Sequence, residues 1–339
     1  MKNNYAYLPL FVLGTVLFSC QQKQQTIPLH KVEGKTMGEF YHISYVGDEI
    51  LGIKDTVEAF LKYFNAQVNT YDSTSNLSRI NNNQTDVMLP LTQALLEKGR
   101  ELHKLSKGAF DPTVAPLVDA WGFGLKNAEN LDSIKVDSLL AFVGFDKVTF
   151  EGNRLLKSNP NIRFNVNAYA PGYAADLIAD IFKSKNYQNY MIEIGGEVVA
   201  SGLNAKKESW LIGIERPDDN LSSQKNELVS GIKLNDRALA TSGNYRRFYK
   251  KEGKKYAHTI DPKTGYPVQH NLLSATVLTP NAVDADAYAT ICMVLGKDEA
   301  IALFSHHPGV ALYLIYADSA GNMQEYVSEN LKDSFTSFR

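Results

Sequence analysis

Apolar residues recur at helical spacing over residues 57–64 and 91–105, and both stretches are predicted helices. A third helix is expected from about Gly172 to Phe182, where the polar run Lys183-Ser184-Lys185-Asn186 ends it. Short apolar runs at 190–194, 198–201, 210–214 and 272–278 read as strands. A helix pair is expected over 284–295 and 297–305, and 310–316, apolar throughout, reads as a buried strand. Helices and strands are interspersed without the regular alternation of a doubly wound sheet, so the expected fold class is α+β. The polar segments 204–208 and 217–227 are expected surface loops.

The first residues follow a different pattern. Lys2 precedes an apolar run over 8–18, which leads into Leu17-Phe18-Ser19-Cys20. That run is too short for a membrane-spanning helix, which needs about twenty residues. Residues 1–19 are expected to be a lipoprotein signal peptide, with Cys20 lipidated (palmitate included). An ordinary secretory signal with an incidental cysteine is the alternative. Residues 20–34, opening with Gln21-Gln22-Lys23-Gln24-Gln25, read as a polar tether, and 35–339 as the folded domain. The expected location is the cell envelope, anchored to a membrane by lipid, with the domain outside the cytoplasm on the periplasmic side.

Composition narrows the function. The 339 residues are 44% hydrophobic, enough for a large core, and the formal net charge is −2 without a long basic tract. Nucleic acid is therefore excluded as a partner. Neither a GxxxxGK[ST] phosphate loop nor a GxSxG elbow occurs. Cys292, the only cysteine besides Cys20, sits in Ile291-Cys292-Met293-Val294-Leu295 and reads as a small buried hydrophobe.

Candidate chemistry concentrates in two places. Ala257-His258-Thr259-Ile260-Asp261-Pro262-Lys263-Thr264-Gly265 ends an apolar run with an imidazole just before an Asp-Pro…Gly turn. Either His258 is a general base or phosphate donor, or it is a satisfied structural histidine. Asp261 and Thr264 are expected to hold the turn through side-chain to backbone bonds. About twenty residues on, Asp286 and Thr290 lie at i and i+4 and share one helix face. They offer two hard oxygen ligands suited to Mg2+; an acidic residue near a helix N-terminus is the competing explanation. Gly108 looks like a left-handed helix stop ahead of Ala109-Phe110-Asp111-Pro112-Thr113. Tyr71 is either a stacking platform or a half-exposed loop tyrosine, and Met37 either a pocket wall or core packing. Gly195-Gly196 permits close backbone approach or simply a tight turn. Arg246 and Arg247 meet phosphate or face solvent.

Those residues carry a resemblance. His258-Thr259-Ile260-Asp261-Pro262-x-Thr264-Gly265 followed by Asp286-Ala287-x-x-Thr290 resembles the ApbE family of FAD:protein FMN transferases. Upstream, Met37-Gly38, Tyr71-Asp72-x-x-Ser75-x-x-Ser78-Arg79-x-Asn81, Gly108–Thr113, Asn165–Asp176 and Gly195-Gly196 follow in the family's order, spanning about residues 35 to 300. The resemblance implies a two-lobed fold with the nucleotide in the cleft between lobes. It implies Mg2+-dependent transfer of FMN from FAD, the substrate, to a Ser or Thr hydroxyl of an acceptor protein, with release of AMP. It implies acceptors among membrane redox complexes, such as sodium-pumping or Rnf-type oxidoreductases.

Residue by residue, the resemblance implies His258 as the catalytic base, Asp286, Thr290 and the Ala168 carbonyl as metal ligands, and a further backbone oxygen from Ala289. It places Met37, Tyr71, Ala109, Phe110, Asp111, Asn165, Pro171, His258 and Thr259 around FAD. Two positions depart from the family: an Asp is usual where Asn165 stands, and a Lys, Glu or Gln where Pro171 stands. Proline lacks a side-chain donor and a backbone N–H, so one cofactor contact is lost or replaced while the helix start is kept. A non-catalytic FAD-binding lipoprotein and an FAD pyrophosphatase are the alternatives.

Overall fold

The computed structural model describes residues 27–125, 131–217, 227–244, 248–251 and 254–338. Residues 1–26, with the expected signal peptide and Cys20, lie outside them, as do 218–226 of one expected loop and Arg246-Arg247. In chain order the elements begin with β1 (Leu29–Thr36), β2 (Glu39–Val46), α1 (Ile53–Val68), α2 (Asn76–Asn81), α3 (Pro90–Leu105), α4 (Ala115–Ala120) and α5 (Ser133–Leu140). There follow β3 (Val148–Glu151), β4 (Arg154–Lys157), α6 (Ala170–Ser184), β5 (Tyr190–Ile194), β6 (Glu197–Ser201), β7 (Trp210–Glu215), β8 (Leu228–Leu234) and β9 (Arg237–Gly243). The chain closes with β10 (Phe248–Lys251), β11 (Lys254–Ala257), β12 (Leu272–Thr279), α7 (Ala282–Leu295), α8 (Lys297–Phe304), β13 (Ala311–Ala317), β14 (Met323–Val327) and β15 (Phe335–Ser337).

The frame is an eight-stranded sheet in the order β1-β2-β5-β6-β9-β12-β13-β14 among the described residues, antiparallel at every pairing. Side chains alternate across it. Tyr41, Ile43, Ile192, Ile194, Ala240 and Val277 join the core built with α1, α3, α6 and α7. Val198, Ala200, Leu239, Tyr313 and Ile315 face the opposite way and pack with Trp210, Ile214, Ile232 and Leu234 of a three-stranded sheet, order β15-β8-β7. The sheet is thus covered on both faces, which is why β13 reads as apolar without alternation. The α+β expectation holds.

One boundary moves. Leu29–Thr36 pairs along its whole length with β2 and buries Val32 and Thr36, so residues 29–34 belong to the sheet and not to a polar tether. The short polar-apolar pattern of an edge strand hides this in the sequence. The α3 helix stops where its apolar spacing places the end, short of Gly108. It ends at Leu105, and the left-handed residues Lys107 (φ 52°) and Gly108 (φ 85°) turn the chain, with Gly108 N–H donating to His103 O at 2.8 Å. Among the described residues no helix is long and apolar enough to cross a membrane.

Candidate active site

One cavity of about 780 Å3 gathers residues that lie up to 257 positions apart, from Met37 to Val294. Its lining includes all the expected FAD-contacting positions, Met37, Tyr71, Ala109, Phe110, Asp111, Asn165, Pro171, His258 and Thr259. Ala168, Asp286 and Thr290 line it as well, whereas Ala289 does not and is fully buried within α7. The volume falls in the range of ligand pockets, about 300–1,000 Å3.

His258 stands just after β11, its ring 6.4 Å from that of Phe123 in an edge-on arrangement. The turn behind it is tied down at several points. Asp261 Oδ1 accepts from Lys263 N at 2.9 Å and Thr264 Oγ1 from Tyr266 N at 3.4 Å, the expected holding roles. Buried Thr259 donates to Asn244 Oδ1 at 3.2 Å, and Trp121 Nε1 donates to Gly265 O at 2.8 Å. Gly265 has φ +76°, and a Cβ there would fall 2.6 Å from Val136 Cγ1, so only glycine fits.

Across the cavity, α6 and α7 cross at Gly172, where a Cβ would meet Ala282 O at 2.3 Å. This close approach lets Asp286 Oδ2 accept from Gly172 N at 3.1 Å. Asp286 is 5% exposed, and that is its one hydrogen bond among the described residues. Burial pushes its carboxyl well above the usual range, the Gly172 bond opposes this, and the nearby Asp176 charge adds to it. Asp176, raised to about 6 by burial, accepts from Ala282 N at 2.7 Å and Val283 N at 2.9 Å. Thr290 Oγ1 lies 3.4 Å from Ser242 Oγ. Among the described residues no three His, Cys, Asp or Glu side chains group as ligands. A cation held here therefore relies on one carboxylate with hydroxyl and carbonyl oxygens. That donor set suits a hard divalent ion, and a buried carboxylate with a single donor lacks the positive charge such an ion brings.

The remaining wall is built by two segments tied together, Asn165 N donating to Pro112 O at 2.7 Å. Asp111 has its carboxylate fully committed inside the protein. Oδ1 accepts from Thr113 N (2.8 Å) and Thr113 Oγ1 (2.6 Å), Oδ2 from Phe145 N (3.1 Å), and His103 Nδ1 lies 3.2 Å from Oδ2. It shapes the loop that presents Ala109 and Phe110 to the cavity. Asn165 Oδ1 accepts from Asn167 N at 2.9 Å. Pro171 occupies the first turn of α6, where a missing N–H costs nothing, so the backbone keeps its helical course. Gly195 (φ 65°) and Gly196 (φ 112°) form the tight turn between β5 and β6, and Gly195 lines the cavity.

The sequence pattern of the ApbE family matches residues 37–314. The chain belongs to the ApbE family. It is 37% identical over 337 residues to the FAD:protein FMN transferase of Haemophilus influenzae, with 95% of each chain covered, and 33% identical to that of Vibrio cholerae. Its fold is similar to the solved flavin transferase ApbE from Vibrio cholerae, with a TM-score of 0.80 at 31% identity, covering 91% of this chain and 99% of that one. The apo flavinyl transferase ApbE of Pseudomonas stutzeri superposes with a TM-score of 0.80 at 29% identity, covering 91% and 97%.

Several residues that line the cavity of this ApbE chain are not singled out by the motifs, Phe123, Glu197, Asn69 and Asn167 among them. Only Asn69 has a usable cue, its i, i+4 spacing from Asn65.

Proposed function

We propose that this chain is a transferase that moves FMN from FAD to a Ser or Thr hydroxyl of an acceptor protein and releases AMP. The observation that carries the reading is the meeting of His258, Asp286, Thr290 and the Ala168 segment with Tyr71 in one cavity, in an ApbE-family chain. The acceptor Oγ attacks the FMN phosphorus and forms a new P–O bond. The bond from that phosphorus to the bridging oxygen breaks, and AMP leaves with the oxygen and its electron pair. An imidazole nitrogen of His258 takes the proton from the acceptor hydroxyl.

Asp286, Thr290 and the Ala168 carbonyl are the residues that would hold Mg2+. When bound, the ion would supply neutralisation of the pyrophosphate charge. Tyr71, 54% exposed at the cavity, offers a face to a flat ring. Phe110, Ile194 and Ile260 contribute apolar wall to the cavity. The acceptors proposed are subunits of membrane redox complexes. Lipidation at Cys20 would hold the domain at a membrane on the periplasmic side, a reading supported by Leu17-Phe18-Ser19-Cys20.

The deciding experiment combines the chain from Gln21 onward, FAD, Mg2+ and a flavin-acceptor domain, read by intact-protein mass spectrometry. An acceptor gain of one FMN that EDTA abolishes supports transfer. AMP without an acceptor gain indicates hydrolysis, and bound FAD with neither product indicates a binding protein.

A further inference from the structure

A chain of side-chain amides runs behind one wall of the cavity. Asn65 Nδ2, near the end of α1, donates to Thr36 Oγ1 at 2.9 Å and to Leu61 O at 2.8 Å. Asn65 Oδ1 accepts from Asn69 Nδ2 at 3.1 Å. Asn69 Oδ1 accepts in turn from Tyr71 N at 2.8 Å. The far end of Tyr71 is held too, its hydroxyl accepting from Asn167 Nδ2 at 3.0 Å. The Asn69 carbonyl is fixed by Ser75 Oγ (2.6 Å) and Ser78 Oγ (3.2 Å). The ladder joins three cavity-lining pieces of chain: the β1–β2 turn, the Tyr71 loop and the segment around Asn167.

We propose that Asn65 and Asn69 are positioning residues for FAD, setting Met37 and Tyr71 as a single unit. The inference rests on the transferase reading above and names the residues that prepare its substrate wall. Three features argue for it. Met37 (φ 52°) and Gly38 (φ 83°) are the two central residues of the hairpin turn between Thr36 and Glu39, a turn that takes positive φ at both positions and that a methionine seldom fills. The Asn65 bond to Thr36, the residue just before Met37, ties this turn to α1. Each amide both donates and accepts, which neither a carboxylate nor an aliphatic chain of the same shape can do. Finally, a half-exposed tyrosine on a loop would lose rotamer and backbone freedom on stacking with a flat ring. Holding its N–H and its hydroxyl beforehand removes part of that cost.

The test uses the full chain with Asn65→Leu and, separately, Asn69→Asp. The second variant keeps an acceptor for Tyr71 N and loses the donor to Asn65. Binding is read by titrating FAD with Mg2+ present and following flavin fluorescence, and turnover by FMN transfer to an acceptor domain. The expected result is a five- to tenfold rise, on the order of one net hydrogen bond, in both Kd and KM for FAD. The value of kcat at saturating FAD stays within about twofold. Combining Asn65→Leu with Tyr71→Phe gives less than the product of the separate effects, because both act on the same ring. If a folded variant melts earlier yet binds FAD as tightly as the natural chain, the amides are structural only and the proposal fails. A fall in kcat at unchanged KM overturns it as well. Should Asn65→Leu fail to fold, the milder Asn69→Asp decides alone. Failure of the natural chain to bind FAD would overturn the transferase reading and this inference together, whereas binding and transfer with unaffected variants overturns only the inference.

Discussion

Asp176 and Asp286 cap each other's helices. Asp176, on α6, accepts the Ala282 and Val283 N–H groups at the start of α7, while Asp286, on α7, accepts Gly172 N–H in the first turn of α6. Each carboxylate satisfies donors that a helix start leaves without intrahelical partners. The arrangement fixes the crossing of the two helices and brings a second buried carboxylate close to Asp286. The crossing therefore gathers more negative charge than its hydrogen bonds compensate, beside a cavity where a cation would complete it.

Replacing Asp286 by Asn separates these roles. The amide oxygen still accepts from Gly172 N, so the crossing survives. Without metal, removing a buried charge leaves the melting temperature unchanged or raises it, since burial opposes the ionised form. FMN transfer at saturating Mg2+ falls by at least about 100-fold, equivalent to several kcal/mol of lost charge stabilisation. Paired measurements of melting and turnover check this, and turnover kept within a few fold would remove Asp286 from the metal site.

Gly172→Ala acts on the same crossing by size. The new methyl group would fall 2.3 Å from Ala282 O and 3.0 Å from Asp286 Cβ, and the first of these is backbone that cannot rotate away. The helices must separate, at a cost of about 1–3 kcal/mol for overpacking. Urea unfolding should show this loss, accompanied by weaker Mg2+ dependence of transfer because Asp286 is displaced.

The His103–Asp111 contact carries a pH signature. Its bond to Asp111 raises the His103 pKa, against a smaller opposing effect of burial. A histidine whose folded pKa exceeds its unfolded value of about 6.5 contributes its full stability below that value and loses it as pH rises through the folded pKa. The contribution is thus complete near pH 6 and is shed above about 6.5. The chain should be less stable to urea at pH 8 than at pH 6, and His103→Gln should flatten that part of the difference. Asp176, with its carboxyl raised to about 6, sheds its own contribution lower, between about 3.8 and 6, so the two are separable by pH range.

Much of this architecture is legible in the sequence, and the failures have identifiable causes. The α3 helix is visible because its apolar face repeats cleanly and Pro90 opens it. Strands β5, β12 and β13 announce themselves as apolar runs. By contrast β9 is Arg-Ala-Leu-Ala-Thr-Ser-Gly, poor in β-branched and aromatic residues, yet it occupies the middle of the sheet because α7 covers it. The α7 helix itself buries nearly every side chain, so composition and length reveal it better than periodicity does. The site is harder. Its residues are spread along most of the chain, and no local pattern brings Tyr71 and His258 to one cavity; only the ordered family motifs group them. Asp111 illustrates the remainder, since a sequence cannot say that the carboxylate of this cavity-lining residue accepts from two backbone N–H groups and a hydroxyl and meets an imidazole.

Trp121 braces the turn that follows His258. It ends α4, 144 positions before the carbonyl of Gly265 to which its Nε1 donates at 2.8 Å, and its ring lies 5.8 Å from that of Tyr266. Val136 of α5 presses on Gly265 from close by. The turn that follows His258 is thereby wedged between two helices, and the imidazole inherits its placement from them. Trp121→Phe keeps an aromatic ring but leaves the buried Gly265 carbonyl without its donor. The expected loss of stability is about 1–3 kcal/mol. Because the loosened segment carries the proposed base and, with Thr259, part of the cavity wall, while Tyr71 and Met37 lie on other elements, kcat for transfer should fall more than KM for FAD rises. A variant that loses stability yet retains kcat would show that the turn needs the tryptophan only to fold, and that His258 is positioned by Thr259 and Asn244 instead.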